Sequence, residues 1–247
     1  MTKASRVLVT SVLLVGVLCP QGHASAQERP AIADQIAKTY GLDSFGQVEA
    51  IRYTFDAEVP ALKVKLSRSW VWEPKTDQIS FDGKDKAGNP VKVTYLRSQL
   101  ASQSAVVKDE VEPAFWNDQY NLMFPFHLVW DAGAKVEDTG MHKLPLGKGS
   151  ARRLVVTYAS QGGYTPGDVW ELYVGSDNRV REYVYRRGGD LKPTGIFSTW
   201  QEEGYKKVGP LLFSLQRRGL LKGKPLRIVF SNVAVKLAGS SSWVDAN

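Results

Sequence analysis

The first regular pattern in the chain is an alternation of apolar and polar residues. In residues 48–59, VEAIRYTFDAEV, every second residue from Ile51 to Val59 is apolar, and the residues between them are polar. A period of two predicts a β-strand with one buried and one solvated face. Residues 62–74 repeat the pattern, and the apolar positions there are Leu62, Val64, Leu66, Trp70 and Trp72.

Similar short segments continue to the end of the chain. Many are separated by turn-forming residues such as Gly88-Asn89-Pro90 and Gly188-Gly189-Asp190. About ten or eleven strands at this spacing predict a mainly β (α+β) fold with a single antiparallel sheet. An apolar sheet face must be covered, so we expect a curved sheet that forms an open or incomplete barrel, with a few helices over its concave face. The further segments are QISFDG, PVKVTYL, ARRLVVTY, DVWELYV, RVREYVYR, IFSTWQ, LLFSLQRR and LRIVFSNVAVKL.

Three segments have a helical pattern instead. Residues 30–40 begin with a proline, repeat an apolar residue every four positions and precede Gly41, which suits the end of a helix. Residues 100–107 and 113–122 are the other two predicted helices.

Residues 114–131, AFWNDQYNLMFPFHLVWD, are rich in aromatic side chains. The first part places Trp116, Tyr120 and Met123 on one helical face. Pro125 disfavours helical geometry at the residue before it, so we expect the helix to end there and a strand to follow. The alternating apolar positions of that strand are Phe124, Phe126, Leu128 and Trp130.

The N-terminus has the pattern of a cleaved secretory signal peptide. Two basic residues precede an apolar run that is too short to span a bilayer, and Ala24-Ser25-Ala26 matches a cleavage site. Cys19 lacks the neighbours of a lipidation site, and cleavage after Ala26 removes this single cysteine. We expect residues 1–26 to be a cleaved signal peptide and residues 27–247 to form one soluble domain in the periplasm or outside the cell.

The charge of the chain is mildly basic, with a formal net charge of +7 before cleavage. Such a charge favours anionic lipid headgroups or acidic proteins, and the modest value in this compartment argues against nucleic acid. Three arginine pairs are predicted at strand ends. They are either solvated strand termini or a rim that contacts headgroups or a partner at the membrane periphery. The pairs are Arg152 with Arg153, Arg186 with Arg187, and Arg217 with Arg218.

Signatures of catalysis and metal binding are missing from the sequence. The chain after residue 26 has no cysteine, two separated histidines (His127 and His142) and no HExxH, GxSxG or SxxK motif. We therefore expect no metal, no cofactor and no enzymatic activity. Asp118 and Asp131 are either an acid–base pair or aspartates that cap a helix or face solvent. His127 is expected to be hydrogen-bonded and half-buried.

The aromatic residues form either an ordinary core or the wall of a cavity. Buried rings remove a large area from water, which suits a core, but rings on a strongly curved sheet also leave room for acyl chains. We expect a lid over the concave face held by apolar contacts and not by a buried salt bridge. The candidate ligand-binding residues are Tyr53, Phe55, Trp70, Trp72, Trp116, Tyr120, Phe124, Phe126 and Trp130.

The order of these elements resembles the outer-membrane lipoprotein-sorting (LolA/LolB-like) superfamily and related uncharacterised envelope domains. The segments that carry the resemblance are RSWVWEPKTDQISFDG, FWNDQYNLMFPFHL, DVWELYVGSDNRV and TGIFSTWQEEGYKKVGPLLFSLQRR. The resemblance implies an open barrel, a helical lid and a hydrophobic cavity for lipid moieties. It also implies an arginine that gates the lid, for which Arg52 and Arg68 are the candidates.

Three functions remain open from the sequence. The leading hypothesis is a monomeric, non-enzymatic periplasmic protein that binds a lipid or an acylated protein. The alternative is a structural or sensory envelope module with a filled cavity that binds another envelope protein. A secreted hydrolase is the third.

Overall fold

The computed structural model describes residues 29–190, 195–200 and 202–247, so the expected signal peptide lies outside the described residues. Two α-helices are present there: α1 (Ala31–Thr39) and α2 (Glu112–Trp130). The strands are β1 (Val48–Val59), β2 (Val64–Glu73), β3 (Gln78–Lys84), β4 (Pro90–Leu96), β5 (Lys135–Lys143), β6 (Ser150–Thr157), β7 (Val169–Val174), β8 (Val180–Arg186), β9 (Ile196–Trp200), β10 (Tyr205–Val208), β11 (Leu211–Ser214), β12 (Gln216–Leu221), β13 (Lys224–Leu237) and β14 (Trp243–Asp245).

One antiparallel sheet of 12 strands dominates the fold, and it is not closed. Its order is β4-β3-β2-β1-β13-β12-β9-β8-β7-β6-β5, and β14 pairs with β13, while β10 and β11 form a separate hairpin. The predicted fold class is confirmed. The strand number exceeds the expectation partly because the segment LLFSLQRR, which was expected to be one strand, contains both β11 and the start of β12.

The alternation in the first strands places their apolar side chains as predicted. Ile51, Tyr53 and Phe55 of β1 are all buried. Ile51 lies opposite Trp72 and Tyr53 lies opposite Trp70 on β2, so these rings share one face of the sheet. Leu62 lies outside β2, in a 3₁₀ turn (Pro60–Leu62), and is 53% exposed.

The first predicted helix is confirmed as α1, with Gly41 following it at a φ of 103°. The helix predicted at 100–107 is wrong in its bounds and type. A 3₁₀ helix covers Arg97–Ser102, and a π-helical turn (Val107–Val111) leads directly into α2.

Helix α2 continues through Pro125 to Trp130, so the predicted change to a strand is wrong. A proline lacks the N–H that a helix interior uses, and helices accommodate this by bending near it. Here Met123 leaves helical geometry, with φ −115° and ψ 16°. All residues from Leu122 to Leu128 are buried. A segment that is buried on every side lacks the alternation of apolar and polar residues that reveals a helical period, and His127 is the single polar residue among these seven.

No helix in the described part of the chain is long and apolar enough to cross a membrane.

Candidate functional site

A cavity of about 320 Å³ lies between the first half of α2 and the sheet. Side chains of β1, β2, β7, β8, β9 and β13 line it. Strands β2 and β7 are six positions apart in the sheet order. A flat sheet would separate them by about 29 Å, at roughly 4.8 Å per strand. Because both line one small cavity, the sheet curves around it.

The lining of the cavity is mostly apolar and aromatic. Two charged side chains, Arg68 and Asp168, are among the described residues that line it. The Asp168 carboxylate accepts hydrogen bonds from the Tyr185 hydroxyl at 2.9 Å and from the Gly188 N–H at 2.8 Å. The Asp168 carboxylate therefore already has hydrogen-bond partners within the protein.

Two of the predicted aromatic residues on α2, Trp116 and Tyr120, line the cavity. They are four positions apart, so they occupy neighbouring places on one helix face. The Trp116 ring stacks on Tyr164 at 5.4 Å, and its Nε1 donates to Glu112 at 2.9 Å. These contacts hold the ring against the cavity.

Phe124 and Phe126 follow the kink at Met123, and both are buried in the core without lining the cavity. Phe124 packs on Trp170 at 4.3 Å, and Phe126 stacks on Trp130 at 5.1 Å. The candidate ligand-binding residues of α2 are therefore divided: Trp116 and Tyr120 line the cavity, whereas Phe124 and Phe126 belong to the core.

The strand residues of the predicted site divide in the same way. Phe55 lines the cavity. Tyr53, Trp70 and Trp72 are buried but do not line it. The ring of Phe115 on α2 packs against both tryptophans, with its centroid 5.5 Å from that of Trp70 and 6.0 Å from that of Trp72.

Several cavity walls were not singled out from the sequence. They follow the same strand alternation as the chosen residues, so their inward direction was predictable but their place beside an empty volume was not. The main ones are Leu66, Trp170, Tyr183, Tyr185, Ile196 and Ile228.

A buried ion pair ties α2 to the sheet at the edge of the cavity. Arg68 on β2 places its Nε 3.2 Å from Oδ2 of Asp118, close enough for an ion pair although not aligned as a hydrogen bond. Asp118 is fully buried and accepts hydrogen bonds from Trp70 Nε1 and Asn117 Nδ2, each at 2.9 Å. Burial raises the pKa of Asp118 to about 6, and the Arg68 charge opposes that rise. The expectations of a solvent-facing Asp118 and of a lid without a buried salt bridge are both wrong.

Arg68 also connects the cavity to an open groove of about 1070 Å³. Arg68, Leu66 and Ala57 line both volumes. The groove carries side chains of both charges, among them Lys84 and Glu110. The other candidate gate, Arg52, is partly exposed and pairs with Asp245 at 2.7 Å.

His127 and Asp131 form a separate network at the end of α2. Asp131 is bonded to His127 Nδ1 at 3.0 Å, and it accepts from the Tyr120 and Tyr158 hydroxyls at 2.7 and 2.8 Å. Burial acts to raise the pKa of Asp131, but these bonds outweigh it, so the pKa lies below its usual value. His127 Nε2 lies 2.6 Å from Gln119 Oε1. His127 is hydrogen-bonded as expected, although it is buried and not half-buried.

The arginine pairs do not form one exposed rim. Arg217 is fully buried, so its place on a rim is wrong. Its strand continues past both arginines, and alternation turns one of two consecutive side chains inward. Arg187 and Arg218 are exposed. The remaining three have carboxylate partners: Arg152 bonds Asp138, and Arg153 and Arg186 both approach Glu171.

Within residues 29–190, 195–200 and 202–247, no group of three or more His, Cys, Asp or Glu side chains is placed to hold a metal ion.

Comparisons with known proteins give structural matches only. No family model matches the chain, and no curated protein matches it in sequence. A DUF1329 family protein from Desulfovibrio piger aligns over 87% of this chain and 95% of its own, with a TM-score of 0.45 and 10% identity. A suggested outer membrane lipoprotein-sorting protein domain from Vibrio parahaemolyticus aligns over 85% and 95%, with a TM-score of 0.43 and 8% identity.

A LolA superfamily protein from Nitrosomonas europaea aligns over 81% of this chain and 92% of its own, with a TM-score of 0.41 and 10% identity. The names of the Vibrio parahaemolyticus and Nitrosomonas europaea structures belong to the superfamily that the sequence resembles.

Proposed function

We propose that this chain is a non-enzymatic envelope protein that binds one acyl chain of a lipid or a lipid-modified partner. The observation that supports this most directly is the cavity of about 320 Å³ between α2 and the sheet. An apolar cavity of about 150 Å³ binds benzene. A cavity about twice that size has room for roughly a dozen non-hydrogen atoms, which corresponds to one acyl chain of medium length.

The apolar walls of the cavity favour a hydrophobic ligand over a polar substrate. Phe55, Ile196 and Ile228 offer no hydrogen bonds, and ligand pockets with such linings bind mainly through the apolar surface that they bury. In this proposal the groove beside Arg68 is the route of entry. Opening the route moves α2 away from β2 and breaks the contact between Arg68 and Asp118.

The proposal places the protein in the periplasm. Residues 1–26 act as the export signal, and residues 27–247 act as a single domain. The exposed Arg187 is the remaining candidate for contact with the anionic headgroups of a membrane surface.

Titration calorimetry with dodecan-1-ol tests the cavity with a neutral single-chain ligand. We expect the wild-type protein to bind it with micromolar or tighter affinity. Ala57→Phe adds a ring to a residue that lines the cavity. A ring of benzene size takes about half of the volume, so we expect at least a tenfold loss of affinity.

Phe126→Leu is the matched control, because Phe126 is fully buried but lies away from the cavity. We expect it to lower the free energy of unfolding by about 1 kcal/mol, as conservative core changes do, and to leave the affinity unchanged. The proposal fails if the folded wild-type protein does not bind the alcohol. It also fails if both variants bind equally well.

A further inference from the structure

Arg217 lies inside the protein and faces the cavity side of the sheet. On β13 its direct neighbour is Ile228, which lines the cavity. Directly opposite residues in an antiparallel pair point to the same face. The side chain reaches α2, where Nη1 is 3.4 Å from Oδ1 of Asn121, another cavity residue.

Aromatic rings surround the guanidinium group of Arg217. Its Cζ lies 4.2 Å from the centroid of Trp200, 5.3 Å from Phe230 and 5.8 Å from Tyr183. Rings stabilise a buried cation in part, but they accept no conventional hydrogen bonds from its N–H groups. No carboxylate among the described residues forms an ion pair with Arg217, and burial lowers its pKa from the usual value, although nearby tyrosine hydroxyls oppose this.

The unused donors of Arg217 lie on one edge of the group. Nε and Nη2 are buried and have no hydrogen-bond partner of good geometry in the described part of the chain, although the Tyr183 hydroxyl lies close enough to act on the side chain as an acceptor. These two nitrogens form the side of the guanidinium that bonds a carboxylate or phosphate through two parallel N–H groups. A buried charge with a free edge of this kind is costly unless an acceptor occupies it.

Two further donors nearby also lack an acceptor. Trp200 Nε1 belongs to the ring that stacks on Arg217, and Trp170 Nε1 belongs to a ring that lines the cavity. Buried donors in folded proteins nearly always have partners. Arg217, Trp200 and Trp170 therefore each have a buried N–H group without an acceptor among the described side chains. An anionic oxygen is the kind of acceptor that one cation and two indole N–H groups would bind.

The site is remote from the entrance groove. Asn121, Tyr183, Trp170 and Ile228 line the cavity but not the groove. A ligand with its charged group at Arg217 would extend its chain through the cavity towards Arg68.

We propose that Arg217 binds the anionic headgroup, a carboxylate or a phosphate, of a single-chain amphiphile whose acyl chain fills the cavity. This rests on the proposed function and narrows it. The ligand is a free acid or phosphate that enters headgroup first. An acyl chain linked to a protein would enter tail first and would bring no anion to Arg217.

Calorimetry at 25 °C and about 0.15 M salt, where surface charges are screened beyond roughly 8 Å, tests the headgroup. The ligands are dodecanoate, dodecyl phosphate and dodecan-1-ol, which share a chain length. We expect the wild-type protein to bind at least one anion about tenfold or more tightly than the alcohol. We expect Arg217→Met to remove that preference while the affinity for the alcohol stays within about threefold, since charge-assisted bidentate bonds are the strong ones.

Arg218→Met is the matched control, because Arg218 is the next residue on the same strand and is exposed. It removes the same charge from the other face of the sheet and should keep the preference. Arg217→Lys keeps the charge but loses the two parallel N–H donors. Its preference for anions over the alcohol should therefore lie between that of the wild type and that of Arg217→Met.

The outcomes separate this inference from the proposed function. Equal binding of alcohol and anions by the wild-type protein overturns the Arg217 site and leaves the acyl-binding proposal standing. The Arg217 site is also overturned if Arg218→Met abolishes the preference for anions over the alcohol as fully as Arg217→Met does. If none of the three ligands binds, both proposals fail.

Tighter binding of dodecanoate assigns the site to carboxylates, and tighter binding of dodecyl phosphate assigns it to phosphates. Because the first comparison uses only the wild-type protein, it remains decisive even if Arg217→Met does not fold.

Discussion

Arg68 and Arg217 are both arginines beside the same cavity, but their surroundings are opposite. Arg68 lies at the groove and has a fully buried carboxylate partner, Asp118, on α2. Arg217 lies in an aromatic enclosure with two unused donor nitrogens. The first charge is neutralised by the protein itself and joins the helix to the sheet. The second has two donor nitrogens without an acceptor of good geometry, and it contacts residues that line the cavity.

This difference separates a structural charge from a binding charge. Removing one member of a buried ion pair leaves the other charge without a counter-charge, whereas replacing a buried charge that has no carboxylate partner leaves no opposite charge unpaired. The two arginines should therefore differ strongly in their effect on the stability of the protein without ligand.

The largest effect is expected for Arg68→Met. It leaves Asp118 buried without its counter-charge, so the free energy of unfolding at pH 7 should fall by about 3–5 kcal/mol. Urea unfolding measures this. Arg52→Met is the control, because Arg52 pairs with Asp245 at the surface and such pairs contribute about 0–1 kcal/mol. Similar small losses for both variants would show that the Arg68 contact does not hold α2.

The next effect concerns pH. The pKa of Asp118 is raised from 3.8 to about 6 in the folded state, so folding favours the protonated carboxyl. Its contribution to stability is fully present below about pH 4 and is lost as the pH rises through about 6. A shift of this size corresponds to about 3 kcal/mol by pH 7.

Asp118→Asn provides the comparison for that pH dependence, since the amide does not titrate. Urea unfolding of both proteins from pH 4 to pH 7 should show the wild type losing stability relative to the variant. Parallel pH profiles would mean that Asp118 titrates normally in the folded protein.

The smallest effect is expected for Arg217→Met in the protein without ligand. The free energy of unfolding should stay within about 1 kcal/mol of the wild type or rise, because an apolar side chain of similar length replaces a charge that has no carboxylate partner. Thermal and urea unfolding both report it. A loss as large as that of Arg68→Met would make the aromatic enclosure a structural element, and the contrast between the two arginines would disappear.

The parts of the fold that alternation specifies were predictable from the sequence. The open antiparallel sheet and helix α1 follow from local periods that one buried face imposes. The second half of α2 was not predictable, because burial on all sides removed its helical period and Pro125 suggested an end. The helix accommodates Pro125 by a bend at Met123, and that bend depends on tertiary packing.

The candidate site was predictable only in part. Phe55, Trp116 and Tyr120 line the cavity, whereas Trp70 and Phe126 pack in the core. Periodicity gives the direction of a side chain, but it cannot say whether the space in front of it is filled. Arg217 could have been found, because two consecutive arginines within a strand must face opposite sides.

The open sheet has a mechanical consequence. Its end strands, β4 and β5, each pair on one side only and not with each other. A closed barrel can widen only by breaking a ladder of backbone hydrogen bonds, whereas this sheet can change its curvature with every ladder intact. The volume under α2 therefore depends on the curvature of the sheet and on the position of one helix, and under the proposed function a longer acyl chain would be admitted by a change of curvature without separating any pair of strands.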